Sequence, residues 1–230
     1  METLGRERRV LLVCGLAREA RIGAGPGVTA ICGGADRIAA LLRNQPVAGV
    51  GAVISFGIAG GLGPSLRTGD VVLGTRIVHA GVEWRSHPLL LSALNDGLTK
   101  ARLDTRQITI AGVDAPVLTP NAKAELRAAT SADAADMESH LAAAYAALHG
   151  VPFCALRVIS DSAAHALPPL AAHALTADGR TDFAAVLTGV VRQPGQIGAL
   201  IQAGRDAAAA FAMLRRCRRL LGVGFGVAHL

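Results

Sequence analysis

Apolar runs recur along this chain, each closed by glycine or by a charge, and helical patterns fill most of the intervals between them. Val10 to Gly15, Val28 to Gly33, Val50 to Gly57 and Asp70 to Ala80 are nearly unbroken runs of small and branched apolar residues. Such runs predict strands covered on both faces, as in a sheet with helices on either side. Gln107 to Gly112 alternates and predicts another strand, Ala134 to Met137 a short one, and Val151 to Ser160 a last long one. Helices are predicted over Arg37 to Arg43 behind an Asp36 cap, and over Pro88 to Lys100, Pro120 to Ala129 and Ser139 to His149. Beyond the last strand the pattern predicts a helix from about Thr181 and a long one from about Pro194 to Leu221. Strands alternating with helices predict an α/β fold with a mostly parallel sheet, in one compact domain over residues 1–230.

Composition narrows the function classes. The formal net charge of +6 suggests a nucleic-acid partner, yet the basic residues gather at the two ends, Arg6 to Arg9 and Arg215 to Arg219. No basic and aromatic interleaving lies between them, so nucleic-acid binding is not expected. The cysteines, at 14, 32, 154 and 217, form no CxxC pair and predict reduced, mostly core thiols of a cytoplasmic protein. Val10 to Ala17 is too short for a secretory apolar segment, and Arg18 and Glu19 end it. Gln45 to Ser65 carries no charge and has the length of a membrane span, but its six glycines and two prolines predict a buried strand followed by a tight glycine loop.

Two carboxylates stand where packing alone does not call for them. Glu138, in Ala135-Asp136-Met137-Glu138-Ser139, lies where a short strand runs into an apolar helix. Asp161 closes the apolar run that contains Leu156-Arg157-Val158-Ile159-Ser160-Asp161. The carboxyl ends of strands are where ligands bind in α/β sheets, and two acids in one crevice can divide substrate binding and proton transfer. Each has a plainer reading as well: Asp161 as a helix N-cap, Glu138 as a first-turn acid favoured by the helix dipole. The glycine loop Gly57-Ile58-Ala59-Gly60-Gly61-Leu62-Gly63 follows a buried strand. It is either a tight turn or a cradle of backbone N–H groups for an anion or a sugar. It lacks the Gly-Lys-Ser/Thr of a P-loop and the spacing of a dinucleotide fingerprint. His79, His140, His149, His165 and His173 show no metal spacing, so no metal is expected; His79 alone follows a strand near the glycine loop.

Taken in order, Ile54 to Leu62, Thr68-Gly69-Asp70-Val71-Val72, Asp136-Met137-Glu138-Ser139, Val151-Pro152-Phe153 and Arg157 to Asp161 resemble the nucleoside phosphorylase and nucleosidase superfamily. The most similar branches are the hopanoid-associated phosphorylases and, next, the methylthioadenosine/adenosylhomocysteine nucleosidases. The resemblance implies a three-layer α/β fold, a central twisted mixed sheet flanked by helices. It implies that Asp161, with Ser160, faces N7 and the exocyclic amine of a purine and assists its departure. Glu138 would bind ribose hydroxyls and Met137 would pack on the sugar. Glu19 resembles the acid that activates the attacking water; its plainer reading is a surface charge. Arg157, Gly57, Gly60 and Val117 fall at substrate-binding positions. No cofactor is implied, and phosphate is the co-substrate of the phosphorylase branches. The chain departs from the family at Ile58, where many members carry a serine that holds water or phosphate. It departs again at Gly112 to Val117, which lacks the ring that stacks on the purine.

The activity implied is cleavage of the N-glycosidic bond of a 5′-substituted adenine nucleoside. Adenosylhopane is favoured, with release of adenine in hopanoid biosynthesis. The rivals are methylthioadenosine or adenosylhomocysteine cleavage, and a nucleoside-binding protein that has lost catalysis. The resemblance also implies a homodimer or higher homo-oligomer. Arg215-Arg216-Cys217-Arg218-Arg219 beside apolar Leu220 to Leu230 reads either as a packed terminal helix or as a peripheral contact with an anionic membrane, where a lipid-linked nucleoside would be met.

Overall fold

In strand β1 (Arg9–Cys14) successive side chains leave on opposite sides, as the pleat requires. Val10, Leu12 and Cys14 enter one core cluster, and Leu11 and Val13 another. A strand that is apolar on both faces must lie between two helical layers, and it does. The computed structural model describes residues 8–168, 178–179 and 197–227. After β1 come α1 (Ala17–Gly23), β2 (Val28–Cys32), α2 (Ala35–Arg43), β3 (Val50–Gly61), β4 (Val71–His79), β5 (Val82–Arg85) and α3 (Pro88–Thr99). Then follow β6 (Thr105–Gly112), α4 (Pro120–Thr130), β7 (Ala134–Asp136), α5 (Ser139–His149), β8 (Phe153–Asp161) and α6 (Ile197–Leu221). Helices α3 and α6 supply the first cluster (Leu90, Leu94, Leu98, Phe211, Leu214), and α2 and α5 the second (Ile38, Leu42, Ala142, Tyr145).

The eight strands among the described residues run in the order β2-β1-β3-β7-β6-β4-β5, with β8 bridging β3 and β4. Strands β3, β8, β4, β6 and β7 therefore close a ring, and the sheet is mixed. Neighbours β3–β8 and β4–β6 are parallel, whereas β4–β8 and β3–β7 are antiparallel. The three-layer architecture that the family resemblance implied is present.

Several local expectations are corrected. The glycine stretch is not a tight loop: β3 continues through it to Gly61, where Gly60 and Gly61 pair with Ala135 and Ala134 of β7. Helix α1 and strand β5 were not expected. Asp36 lies in the first turn of α2 and Gly34 is its N-cap. Thr119 caps α4, accepting from the Ala122 amide at 3.2 Å, with Pro120 at the first helical position as predicted. The helix expected from about Thr181 lies outside the described residues. Cys14, Cys154 and Cys217 are buried free thiols.

Candidate active site

Strand β8 sends Phe153, Ala155 and Ile159 into the core beside α5, and Arg157 takes the matching position between them. The guanidinium is 0 % exposed, and a charge so buried must be paired and hydrogen-bonded. Its Nε lies 2.8 Å from Asp136 Oδ2, an ionic contact, because the N–H points off the carboxylate. Nη2 donates to Ser55 Oγ at 2.5 Å and stands 3.4 Å from Glu138 Oε2. Asp136 in turn accepts from the Glu138 and Ser139 amides at 3.1 and 2.8 Å and from the Ser139 hydroxyl, which fixes the turn from β7 into α5.

Glu19 and Glu138 complete this cluster. Helix α1 carries Glu19 inward, 1 % exposed, so its reading as a surface charge is overturned. Its two oxygens accept from the backbone amides of Leu16 and Ile58, each at 2.8 Å. Burial raises its pKa, against the pull of Arg157 and these amides. Glu138 is the N-cap residue of α5, with its side chain 13 % exposed. Burial, opposed by Arg157 and reinforced by Asp136 and Glu19, pushes its pKa up to about 8. The cause is a count of charges: Asp136, Glu138 and Glu19 surround one guanidinium, so they cannot all ionise cheaply.

The glycines of β3 belong to this geometry. Gly57 pairs in register with Arg157, and a Cβ there would lie 2.6 Å from Arg157 Nη1 and run into the Glu19 carboxylate. A Cβ on Gly15 would strike the Glu138 carboxylate. At Gly61 it would approach the Asp161 carbonyl oxygen to 3.0 Å. None of these three glycines has a positive φ. They are glycines because functional side chains and a neighbouring strand occupy the space.

Asp161 is the last residue of β8 and 4 % exposed. No helix follows it among the described residues, so the N-cap reading falls. Its Oδ2 accepts from Lys123 Nζ at 2.5 Å, and its Oδ1 from the Ser160 hydroxyl at 2.7 Å. Lys123, on α4, is 1 % exposed and donates also to the carbonyls of Ser162 and His165, at 2.8 and 2.9 Å. All three ammonium protons are thus engaged. Sequence reasoning missed Lys123, Asp136 and Ser55. A lone lysine on a polar helix carries no signal. Asp136 and Ser55 were in the quoted motifs, but only the fold turns them onto Arg157.

One cavity of about 420 Å³ gathers most of the predicted residues: Glu19, Gly60, Val117, Met137, Glu138, Ser160 and Asp161 lie on its wall, with Lys123 and Asp136. Gly57 and Arg157 do not; they stand behind the wall and act on it through Glu19, Glu138 and Asp136. The segment Gly112 to Val117 supplies Val113, Pro116 and Val117 and no ring. A ring comes instead from α6, as Phe211, beside Leu200, Ala203, Gly204 and Ala207. The cavity thus joins an acidic end to an aliphatic wall.

The comparisons with known proteins agree with this architecture. The sequence model of the phosphorylase superfamily matches residues 3–193. No curated protein matches the chain by sequence. Among solved structures, the chain is similar to the 5′-methylthioadenosine/S-adenosyl homocysteine nucleosidase of Helicobacter pylori, complexed with a substituted pyrrolidin-3-ol. The TM-score is 0.65 at 16% identity, over 92% of this chain and 97% of that one. It is similar also to the futalosine hydrolase of Helicobacter pylori, with TM-score 0.65 at 15% identity over 92% and 97%. The S-adenosylhomocysteine nucleosidase of Streptococcus pyogenes gives TM-score 0.61 at 18% identity over 94% and 98%. At such identities the structures speak for the fold, and the family rests on the sequence match over most of the chain: this protein belongs to the phosphorylase superfamily.

Proposed function

We propose that the protein cleaves the N-glycosidic bond of an adenine nucleoside that carries a bulky apolar 5′ substituent. The observation that carries this reading is the single cavity in which Asp161, Glu138 and Glu19 face an aliphatic wall built by α6. Breaking the ribosyl C–N bond leaves positive charge on the sugar and negative charge on the base. Asp161, at the strand end and paired through its Oδ2 with the Lys123 ammonium, relays a proton from that ammonium to the purine N7, and the lysine regains a proton from solvent once adenine has left. Such a positioned acid contributes about a hundred- to ten-thousand-fold. Glu138, once ionised, accepts from the ribose hydroxyls and offsets charge on the sugar. Met137 packs on the ribose. Glu19, held by the Leu16 and Ile58 amides, takes the proton of the attacking water.

The charge of the described wall supports water as the nucleophile. It carries four acids, Glu19, Asp136, Glu138 and Asp161, and one ammonium already fully engaged, so even with Glu138 protonated the described wall offers a phosphate dianion no free cation. Adenine release measured with and without phosphate tests this. Equal rates support hydrolysis, and a strict need for phosphate makes the reaction a phosphorolysis.

The aliphatic wall supports a large apolar group at the 5′ end, with adenosylhopane, a step of hopanoid biosynthesis, as the favoured substrate over methylthioadenosine or adenosylhomocysteine. The discriminating variant is Gly204→Leu, which adds a side chain to that wall where a Cβ meets nothing within 4 Å. The expected result is a KM raised about tenfold or more for a hopane-bearing nucleoside, with methylthioadenosine turnover little changed; one lost methylene of fit already alters binding by about 1–3 kcal/mol. If wild type releases adenine from methylthioadenosine far faster than from any lipid-borne nucleoside, the smaller substrate is the right one.

A further inference from the structure

Helix α1 has two faces. Glu19 and Gly23 are buried on the inner one, and Glu19 reaches the cavity wall. Arg18 and Arg21 are exposed on the outer one. There they meet the last turns of α6, and Arg18, Arg21, Ile22, Arg215, Arg218 and Arg219 line a groove of about 460 Å³ between the two helices. Five of these six residues are arginine and none is acidic, so like charges face one another across the groove. Such an arrangement repels itself unless an anion lies between.

A basic stretch on a helix is ordinarily a solvated face. Three observations set this groove apart. Its arginines converge from opposite ends of the chain onto one concave surface. No ion pair joins Arg18, Arg21, Arg215 or Arg219 to a carboxylate among the described residues. Two guanidiniums are held in place by rings. Arg218 sits 4.8 Å from the Phe225 centroid and donates to the carbonyls of Gly23, at 2.8 Å, and Gly222. It thereby ties the end of α1 to the end of α6 and sets the width of the groove. Arg18 sits 4.3 Å from the Phe211 centroid and makes no hydrogen bond among the described residues, so its donors stay open. Arg21 makes only a long contact to the Ala17 carbonyl, at 3.4 Å.

We propose that this groove binds phosphate groups, with Arg18, Arg21, Arg215 and Arg219 as donors, and that the bound anion bridges α1 to α6. Guanidinium forks match phosphate oxygens bidentately, and four open ones suit linked or clustered phosphates. A soluble oligophosphate and the headgroups of an anionic lipid share that chemistry. The groove is separate from the acidic cavity but adjoins it. Phe211, under Arg18, lines the cavity, and α1 carries Glu19 on its other face. An occupied groove therefore steadies the helix that presents Glu19. Given the reaction proposed above, a phosphate acting from the groove leaves the sugar unphosphorylated, whereas phosphorolysis makes the sugar 1-phosphate. The sequence showed only half of the site, Arg215 to Arg219, because α1 was not predicted.

The test titrates the full chain with sodium tripolyphosphate by calorimetry, beside co-sedimentation with vesicles of phosphatidylglycerol and phosphatidylcholine. One tripolyphosphate per chain is expected, with affinity falling as salt rises. Arg21→Gln with Arg215→Gln removes one exposed charge from each helix and should weaken binding by about tenfold or more. Arg43→Gln with Arg85→Gln removes the same charge from exposed positions outside the groove and should leave binding nearly unchanged. A melting curve on each variant checks the fold. Vesicles that compete with tripolyphosphate identify lipid headgroups as the ligand. A chain that binds tripolyphosphate and ignores the vesicles takes a soluble phosphate. Saturable binding of neither probe, or equal losses in the two double variants, overturns the site. Hydrogen exchange in α1 should slow when tripolyphosphate is bound, and unchanged exchange there overturns the bridge between the helices. None of these readouts needs turnover, so the groove stands or falls separately from the proposed reaction.

Discussion

Each acid of the cavity is defined by what holds its oxygens. Asp161 accepts from Lys123 and Ser160, so Asp161→Asn removes the proton carrier and also leaves a buried ammonium without its counter-charge. Adenine release should fall by about a hundred- to ten-thousand-fold. The melting temperature should fall as well, because stranding one partner of a buried pair is costly. Near-normal release by the folded variant would falsify the role of Asp161. Glu138 makes a pH prediction. Its pKa of about 8 leaves it largely protonated at neutral pH in the empty site, so kcat/KM should rise as pH rises through about 8. In Glu138→Gln that limb should vanish, with kcat reduced more than KM is raised. The stability sign is opposite. A folded pKa raised from 4.5 to about 8 favours the native state at low pH, and that contribution is lost as pH rises through this window. Urea unfolding at pH 5 and pH 9 should therefore show a larger loss for wild type than for Glu138→Gln.

At the scale of the element, strand β3 carries the most instructive surprise. Its glycines mark close approach rather than a turn, two readings that sequence alone cannot separate. Gly57→Ala should destabilise the protein by about 1–3 kcal/mol in urea unfolding, because the added methyl meets Arg157 and Glu19 in a packed interior. It should also depress adenine release by displacing Glu19. The control is Gly198→Ala on α6, where a Cβ meets nothing within 4 Å and the helical backbone suits alanine. That change should be neutral or stabilise by up to about 1 kcal/mol. If the two substitutions behave alike, the close-approach account of β3 is wrong. Helix α1 escaped prediction because its seven residues are too short for an apolar period to emerge.

At the scale of the whole molecule, α6 does two things. Its buried side, Phe211, Leu214, Cys217 and Leu221, packs on the sheet, and Phe225 and Val227 beyond it are buried too. Of the apolar tail expected to meet a membrane, the described Leu221, Phe225 and Val227 are packed while Leu220 and Val223 are exposed, and Arg218 is tied to the Gly23 carbonyl at 2.8 Å. What remains open is a basic surface that α1 enlarges, with Arg18 and Arg21 beside Arg215, Arg218 and Arg219, and the exposed Ile197 and Ile201 at the start of α6. Arginines near an anionic surface contribute about 1 kcal/mol each. The expected outcome is salt-sensitive flotation with anionic vesicles, weakened by Arg21→Glu with Arg215→Glu. Equal flotation of wild type and this double variant, or none at low salt, removes the membrane contact.

The sequence by itself determined the strands, since unbroken apolar runs can be buried only between two helical layers. It carried five ordered motifs as well, and with them the family, and it pointed to the acids Glu138 and Asp161 as candidates. Tertiary structure alone decided which charges meet. Arg157 is paired by Asp136 only because β7 and β8 both flank β3, and Lys123 reaches Asp161 only because the 162–165 segment folds over α4. The physical reason is range. Hydrophobic periodicity is a property of neighbours along the chain. A buried charge is balanced by groups that the closed ring of strands brings together from across the sequence.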